Sequence, residues 1–333
     1  MAPFTSTRRR FLRSTAAGLA AIGLGGRARA ADALEGEMPT RPLGKTGENV
    51  SILCLGGHHI GRIRDEQECI ALIRHAVDLG VTFMDNAWEY HGGRSEELMG
   101  KALAGGYRDK TFLMTKHHGR KRWQTAMEHL EDSLRRLKTD RIDLWQYHEV
   151  VYPDDPDWIF LPEGAIRAAE KAKKQGKVRF IGFTGHKDPN IHMEMLAHAY
   201  PWDTVQMPLN PLDAHFKSFE KRILPILEER GIGVVAMKTM AGGHALRTGT
   251  VKPMECLRYV WSLPVDTIVS GIINTEHLHE NVRAAKTFKP MSEAETKALL
   301  ARTREPAMTG NFEPFKTTRN YDGPVGRRQH GVA

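Results

Sequence analysis

Cysteine is scarce: Cys54, Cys69 and Cys256 are the whole complement of 333 residues. An odd, scattered set inside apolar periodic segments excludes a disulfide framework and points to core packing. No repeated C-x-x-C spacing supports an iron–sulfur cluster. Acidic residues are missing from the first thirty positions, which carry Arg8, Arg9, Arg10, Arg13, Arg27 and Arg29. Without those six the formal charge falls from +8 to +2, so the basicity belongs to the leader and no nucleic-acid partner is expected. The apolar run at 16–26 is too short to span a bilayer, so no stable membrane anchor is expected. A dinucleotide glycine fingerprint is also missing after the first strand, where Gly56-Gly57 runs into His58-His59. The one match to G-x-G-x-x-A, Gly23 to Ala28, has no strand before it and no helix after it, and is set aside.

What is present centres on the stretch VTFMDNAWEYHGGRSEE at 81–97. Thr82-Phe83-Met84 reads as a short buried strand closed by Asp85. Tyr90 follows in a small loop, and Ser95 is the expected N-cap of a helix from Glu96. Two later strands end in the same way: 111–115 runs into Lys116, and 142–147 into His148. If the strands are parallel, their carboxyl ends share an edge and Asp85, Tyr90, Lys116 and His148 converge. A phenol of ordinary pKa near 10 is a poor acid at neutral pH. An adjacent ammonium lowers that pKa, a carboxylate anchors the ammonium, and an imidazole orients a carbonyl oxygen. The set suits protonation of an alkoxide as it forms.

Strand-like runs at 51–54, 82–84, 111–115, 142–147, 178–182, 204–207, 233–237 and 267–270 alternate with amphipathic helical patterns. One apolar stripe is Ala126, Leu130, Leu134 and Leu137; another is Ile70, Ile73, Ala76 and Val77. Eight βα units predict a single-domain (β/α)8 TIM barrel over 31–333, with its active site at the strand carboxyl ends. An open doubly wound sheet, the alternative, usually keeps the missing fingerprint. The segment 306–333 reads as an irregular tail that either folds over the site or hangs loose. Trp88, Tyr147, Tyr152 and Trp158 are the candidates for aromatic walls at the mouth.

From about Met38 to about Phe288 the chain resembles the aldo-keto reductases. The opening Arg41-Pro42-Leu43-Gly44-Lys45-Thr46-Gly47, the Asp85-Asn86-Ala87…Tyr90 segment, Lys116 and His148 carry the resemblance. It implies hydride transfer between a nicotinamide, NADP or NAD, and a small carbonyl or alcohol substrate. In that family a serine-asparagine pair after the fifth strand holds the carboxamide; here Thr184 keeps a hydroxyl but Gly185 replaces the amide and His186 follows. Gln206 matches the glutamine that shares this task. Met237 and Lys238 stand where a tyrosine often stacks on the ring. Glu280 and Asn281 match the pair at the adenosine end. NADP-selective relatives place Lys or Arg where this chain has Gly271 and His277, which leaves the choice of cofactor open.

Thr7-Arg8-Arg9-Arg10-Phe11-Leu12-Arg13, followed by Ala28-Arg29-Ala30, resembles a twin-arginine signal peptide over 1–30. It implies the Tat export machinery as a partner and a periplasmic location. Two other functions fit parts of the pattern. A metal-dependent hydrolase would use His58, His59, His91, His117, His118, His148 and His186, although Lys116 would set a cation against its metal. A nucleotide-binding regulatory barrel would have no use for a paired acid and lysine. Oligomeric state is not legible.

Overall fold

The computed structural model describes residues 34–332, and the signal peptide expected over 1–30 lies outside them. Met38 onward forms one compact unit. It opens with an antiparallel hairpin, β1 (Thr40–Pro42) and β2 (Asn49–Ser51), in which Arg41 pairs with Val50. Eight parallel strands then close into a barrel: β3 (Leu53–Leu55), β4 (Phe83–Met84), β5 (Phe112–His117), β6 (Ile142–Tyr147), β7 (Val178–Thr184), β8 (Thr204–Pro208), β9 (Gly233–Met237) and β10 (Thr267–Ser270). Closure runs through β10, which pairs with β9 on one side and β3 on the other. The barrel is the expected (β/α)8 fold, and closure pairs each of its eight strands on both sides.

The hairpin sits at the amino ends of the strands. The Lys45 amide donates to Gly231 O and the Gly44 amide to Asp266, both just ahead of β9 and β10. Leu43 and Val50 join Cys54, Phe83, Phe112, Met114, Leu144 and Val235 in one buried cluster. That end is therefore packed, and the opposite end is free for chemistry. All three cysteines are buried free thiols.

The helix Trp123–Leu137 buries Ala126, Leu130, Leu134 and Leu137 as its pattern predicts. The helix Glu66–Asp78 is turned by about one residue from the expected stripe: Cys69, Leu72, Ile73, Ala76 and Val77 are buried, and Ile70 is only half-buried. Ser95 does not cap its helix. The helix Arg94–Ala102 starts earlier, after Gly93 at φ 96°, and the Ser95 hydroxyl donates instead to Gly57 O at 2.7 Å. That bond ties the tyrosine segment to the loop after β3.

Beyond β10 the chain forms the helices Thr275–Lys286 and Glu293–Ala307, the second opened by a Ser292–Glu295 capping box. The following segment is not a loose arm. Lys316 is fully buried, with its ammonium 2.6 Å from Asp213 Oδ1, 2.9 Å from Glu313 Oε2 and 2.8 Å from Phe216 O. Breaking such a buried set by removing one partner typically costs about 3–5 kcal/mol. This anchor leads 321–324 back across the carboxyl ends of the strands. Among the described residues, no helix is long and apolar enough to cross a membrane.

Candidate active site

The carboxyl ends of the strands open into a cleft of about 760 Å³, within the usual range of ligand sites. Asp85 directly follows β4, where its amide donates to Leu55 O at 3.0 Å and Oδ2 accepts from the Gly57 amide at 3.3 Å. Lys116 is the fifth residue of β5, and its ammonium reaches Asp85 Oδ1, Asn86 O at 2.6 Å and Tyr90 Oη at 3.2 Å. Its three donors are thus all used, so its position is fixed. His148 follows β6, tied by its amide to His117 O at 2.7 Å, and its ring stands edge-on to Tyr90 at 5.5 Å. The four residues converge as their strand positions predict.

The electrostatics differ from the expectation in one respect. Burial pushes the Tyr90 phenol well above its ordinary value, and the Asp85, Glu89 and Glu149 carboxylates push the same way. In the resting site Lys116 does not deliver a phenol of lowered pKa, because its charge is largely matched by Asp85. The phenol is held protonated, which is the form a donor starts from. Lys116 can stabilise the phenolate once the proton has left. Burial also holds the His148 ring well below its ordinary value, aided by His118 and Lys116, so the ring is neutral.

Of the residues expected at a nicotinamide nucleotide, Thr184, Gln206, Met237, Lys238 and Gly271 line the cleft. Glu280 and Asn281 do not. Glu280 is exposed, and the Asn281 amide is occupied by its own helix and the end of β10, donating to His277 O at 2.7 Å and accepting from Ser270 Oγ at 2.8 Å. The fit to a nicotinamide can be tested on polar atoms. Gln206 Oε1 is buried without a hydrogen-bond partner, an acceptor suited to a carboxamide N–H. Lys238 stacks its ammonium on Phe315 and Tyr321, 5.5 Å from each ring, and has no carboxylate in ion-pair range among the described residues. Both fit the group.

Three residues at the mouth have roles that their sequence patterns left unassigned. His58, after β3, packs edge-on to Tyr90 at 5.2 Å, and burial with Arg62 beside it brings its pKa down to about 3. Glu149 takes a left-handed backbone, φ 57°, and accepts from His186 Nε2 at 2.8 Å and the Gly323 amide at 2.7 Å. Glu89, next to the tyrosine, faces His118 and His148. The expected aromatic walls are elsewhere. Trp88 stacks on His129 and donates to Asp132, Tyr147 donates to Ala165 O, and Tyr152 and Trp158 sandwich His330. The histidines expected at the mouth divide as well: His58, His59, His91, His148 and His186 line the cleft, while His117 turns inward onto Trp145 and His118 stands behind His148.

A parallel eight-stranded barrel with tyrosine, lysine, aspartate and histidine at its carboxyl ends defines an oxidoreductase class rather than a hydrolase. The sequence profile of the Aldo/keto reductase family matches residues 52–255. The chain is 27% identical over 317 residues to the uncharacterized oxidoreductase YqkF of Bacillus subtilis (strain 168), covering 80% of this chain and 97% of that protein. It is 31% identical over 215 residues to the aldo-keto reductase YhdN of the same organism, covering 60% and 61% of the two chains. The holo form of aldo-keto reductase AKR11C1 from Bacillus halodurans superposes with a TM-score of 0.68 at 25% identity, over 80% of this chain and all of that one. The protein belongs to the aldo/keto reductase family, and it is an oxidoreductase of that family.

Proposed function

We propose that the protein transfers a hydride between a nicotinamide nucleotide and a carbonyl or alcohol substrate, with Tyr90 as the proton donor. The observation that carries this reading is the buried Tyr90 hydroxyl 3.2 Å from a Lys116 ammonium that Asp85 holds in place. The nucleotide, when bound, supplies the hydride. Thr184 and the unpartnered Gln206 Oε1 would hold its carboxamide, and Lys238 would supply a cation to its negative charge. At the substrate, His148 donates to the carbonyl oxygen and fixes its direction. Tyr90 Oη gives its proton to that oxygen as negative charge builds there, and Lys116 stabilises the phenolate left behind. In the reverse direction Tyr90 accepts the proton of the alcohol.

Two further features narrow the reading. A side chain at Gly271 would meet the His59 ring at 2.5 Å, so one of the two positions that carry Lys or Arg in NADP-selective relatives has neither charge nor room here, and the other is His277; this supports NAD. Charged and imidazole side chains, His58, Arg62, Glu89, His91 and Glu149, line the cleft around the tetrad, and this supports a carbonyl compound that carries polar groups beside its carbonyl.

Tyr90→Phe removes one hydroxyl and leaves the ring. With a panel of polar aldehydes and ketones, assayed with both NADH and NADPH, it should lower kcat/KM by roughly 100- to 10,000-fold. A variant as fast as wild type would sink the assignment.

A further inference from the structure

Behind His148 lies a line of side chains that the proton transfer above does not use. His118 is fully buried just past β5. Its Nε2 is 3.2 Å from His148 Nδ1, and its Nδ1 is 3.4 Å from Arg120 Nη1. A guanidinium can only donate, so His118 Nδ1 accepts and the proton of this ring sits on Nε2. That N–H faces His148 Nδ1 across the 3.2 Å contact, and with the His118 proton so placed His148 Nδ1 is the acceptor. The one proton of the neutral His148 ring is left on Nε2.

Arg120 is well placed to impose this order. It pairs with Asp155 and donates to His148 O at 3.1 Å, Glu149 O at 2.8 Å and Gln329 Oε1 at 2.8 Å. Glu89 supplies the competing influence. Its carboxylate is 3.4 Å from His148 Nδ1 and 3.0 Å from His118 Nε2, and Oε2 is buried with no aligned hydrogen bond. Without His118, that carboxylate would draw the His148 proton onto Nδ1 and turn a bare lone pair towards the substrate.

We propose that His118, oriented by Arg120, is a positioning residue that fixes His148 in its Nε2–H tautomer, so that His148 donates to the substrate oxygen rather than accepting from it. The inference rests on the assignment of His148 to that oxygen. Glu89, His118 and His148 also hold metal-ligating atoms within 4.8 Å of one another. A metal, however, needs lone pairs that meet at one point, whereas these two rings are aligned on each other with a guanidinium behind them.

The test is histidine ring 15N NMR on the full chain, with His148 assigned through its loss in His148→Asn. Wild type should carry the His148 proton on Nε2. In His118→Leu that proton should move to Nδ1, and kcat should fall about 10- to 100-fold, the usual cost of removing the partner that fixes a functional histidine. His118→Gln, which can accept from Arg120 and donate to His148, should keep the wild-type tautomer and most of kcat. Three results overturn the proposal: a proton on Nδ1 in wild type, an unchanged tautomer in His118→Leu, or stoichiometric metal bound at Glu89, His118 and His148. If the leucine variant does not fold, the wild-type spectrum and the glutamine variant decide. The tautomer is read without turnover, so its failure is separate from a failure of the reductase reading, which Tyr90→Phe tests.

Discussion

Restoring the family's asparagine at Gly185 should damage this protein rather than improve it. The perturbation is the β-carbon itself. Built on Gly185, it runs into the carbonyl oxygen of Val150, with the His192 ring at 2.8 Å and the Val150 carbonyl carbon at 3.1 Å, where ordinary contact begins at 3.4 Å. None of these atoms can yield easily. Val150 is buried and its amide donates to Thr184 O at 2.8 Å, Gly185 N is bonded to Gln206 O at 3.4 Å, and His192 is fully buried. The backbone of Gly185 is not left-handed, so the cost is steric alone. Overpacking of this kind costs about 1–3 kcal/mol, and more where backbone must move, so about 3 kcal/mol is expected. For a domain of this size that is a fall in Tm of roughly 5 °C. Gly185→Ala should account for most of it, because the amide group is not the cause. Nucleotide affinity should fall as well, since Thr184 and Gln206 flank the displaced segment. Thermal unfolding and nucleotide titration of both variants check this. A Gly185→Asn protein with unchanged Tm and tighter nucleotide binding would refute the steric account and mean that the family's carboxamide geometry is accessible here.

Two other outcomes can be measured. Burial opposes ionisation of Glu149, but its hydrogen bond and charge interaction with His186 win and bring its pKa down to about 2. An unfolded glutamate takes up its proton near 4.3, so between those two values the unfolded chain binds more protons and stability falls as pH falls, by up to roughly 3 kcal/mol. Denaturant titrations from pH 6 to pH 2 should show a shallower acid loss in Glu149→Gln, and an identical slope would remove Glu149 from the account. We also propose export by the twin-arginine route with the nucleotide already loaded, because that route carries folded proteins and free nicotinamide is expected to be scarce outside the membrane. Protein purified from the periplasmic fraction and denatured should release nicotinamide nucleotide; protein that emerges empty would sink this idea.

The barrel was readable because each βα unit announces itself locally. The strands 142–147, 233–237 and 267–270 have the bounds that their composition predicts. The tetrad was readable for the same reason, since each member lies at or beside a strand end and parallel closure brings the ends together. Partners that depend on distant segments were not readable. Trp88 finds His129 and Asp132 on the helix of the next unit, and Trp158 finds His330 near the end of the described chain. Ser95 has the composition of an N-cap, yet Gly57, thirty-eight positions away, takes its hydroxyl. The tyrosine's pKa was misread because a sequence shows the lysine beside the phenol but not the depth of burial or the two glutamates, Glu89 and Glu149, that face it.

The 321–324 crossing has a consequence for biosynthesis. Chains emerge from the ribosome amino end first, and domains tend to fold as they emerge. All eight strands and the complete tetrad are available once Ser270 is out, so a closed barrel can form before Tyr321, Asp322, Gly323 and Pro324 have been made. Such an intermediate would hold its reactive groups in an open basin, with Glu149 lacking the Gly323 amide and Lys238 lacking the Tyr321 ring. Only the later segment, drawn in by Lys316, turns that basin into a walled cleft. If the cleft takes a nucleotide as proposed, its walls are complete only once translation has passed Pro324.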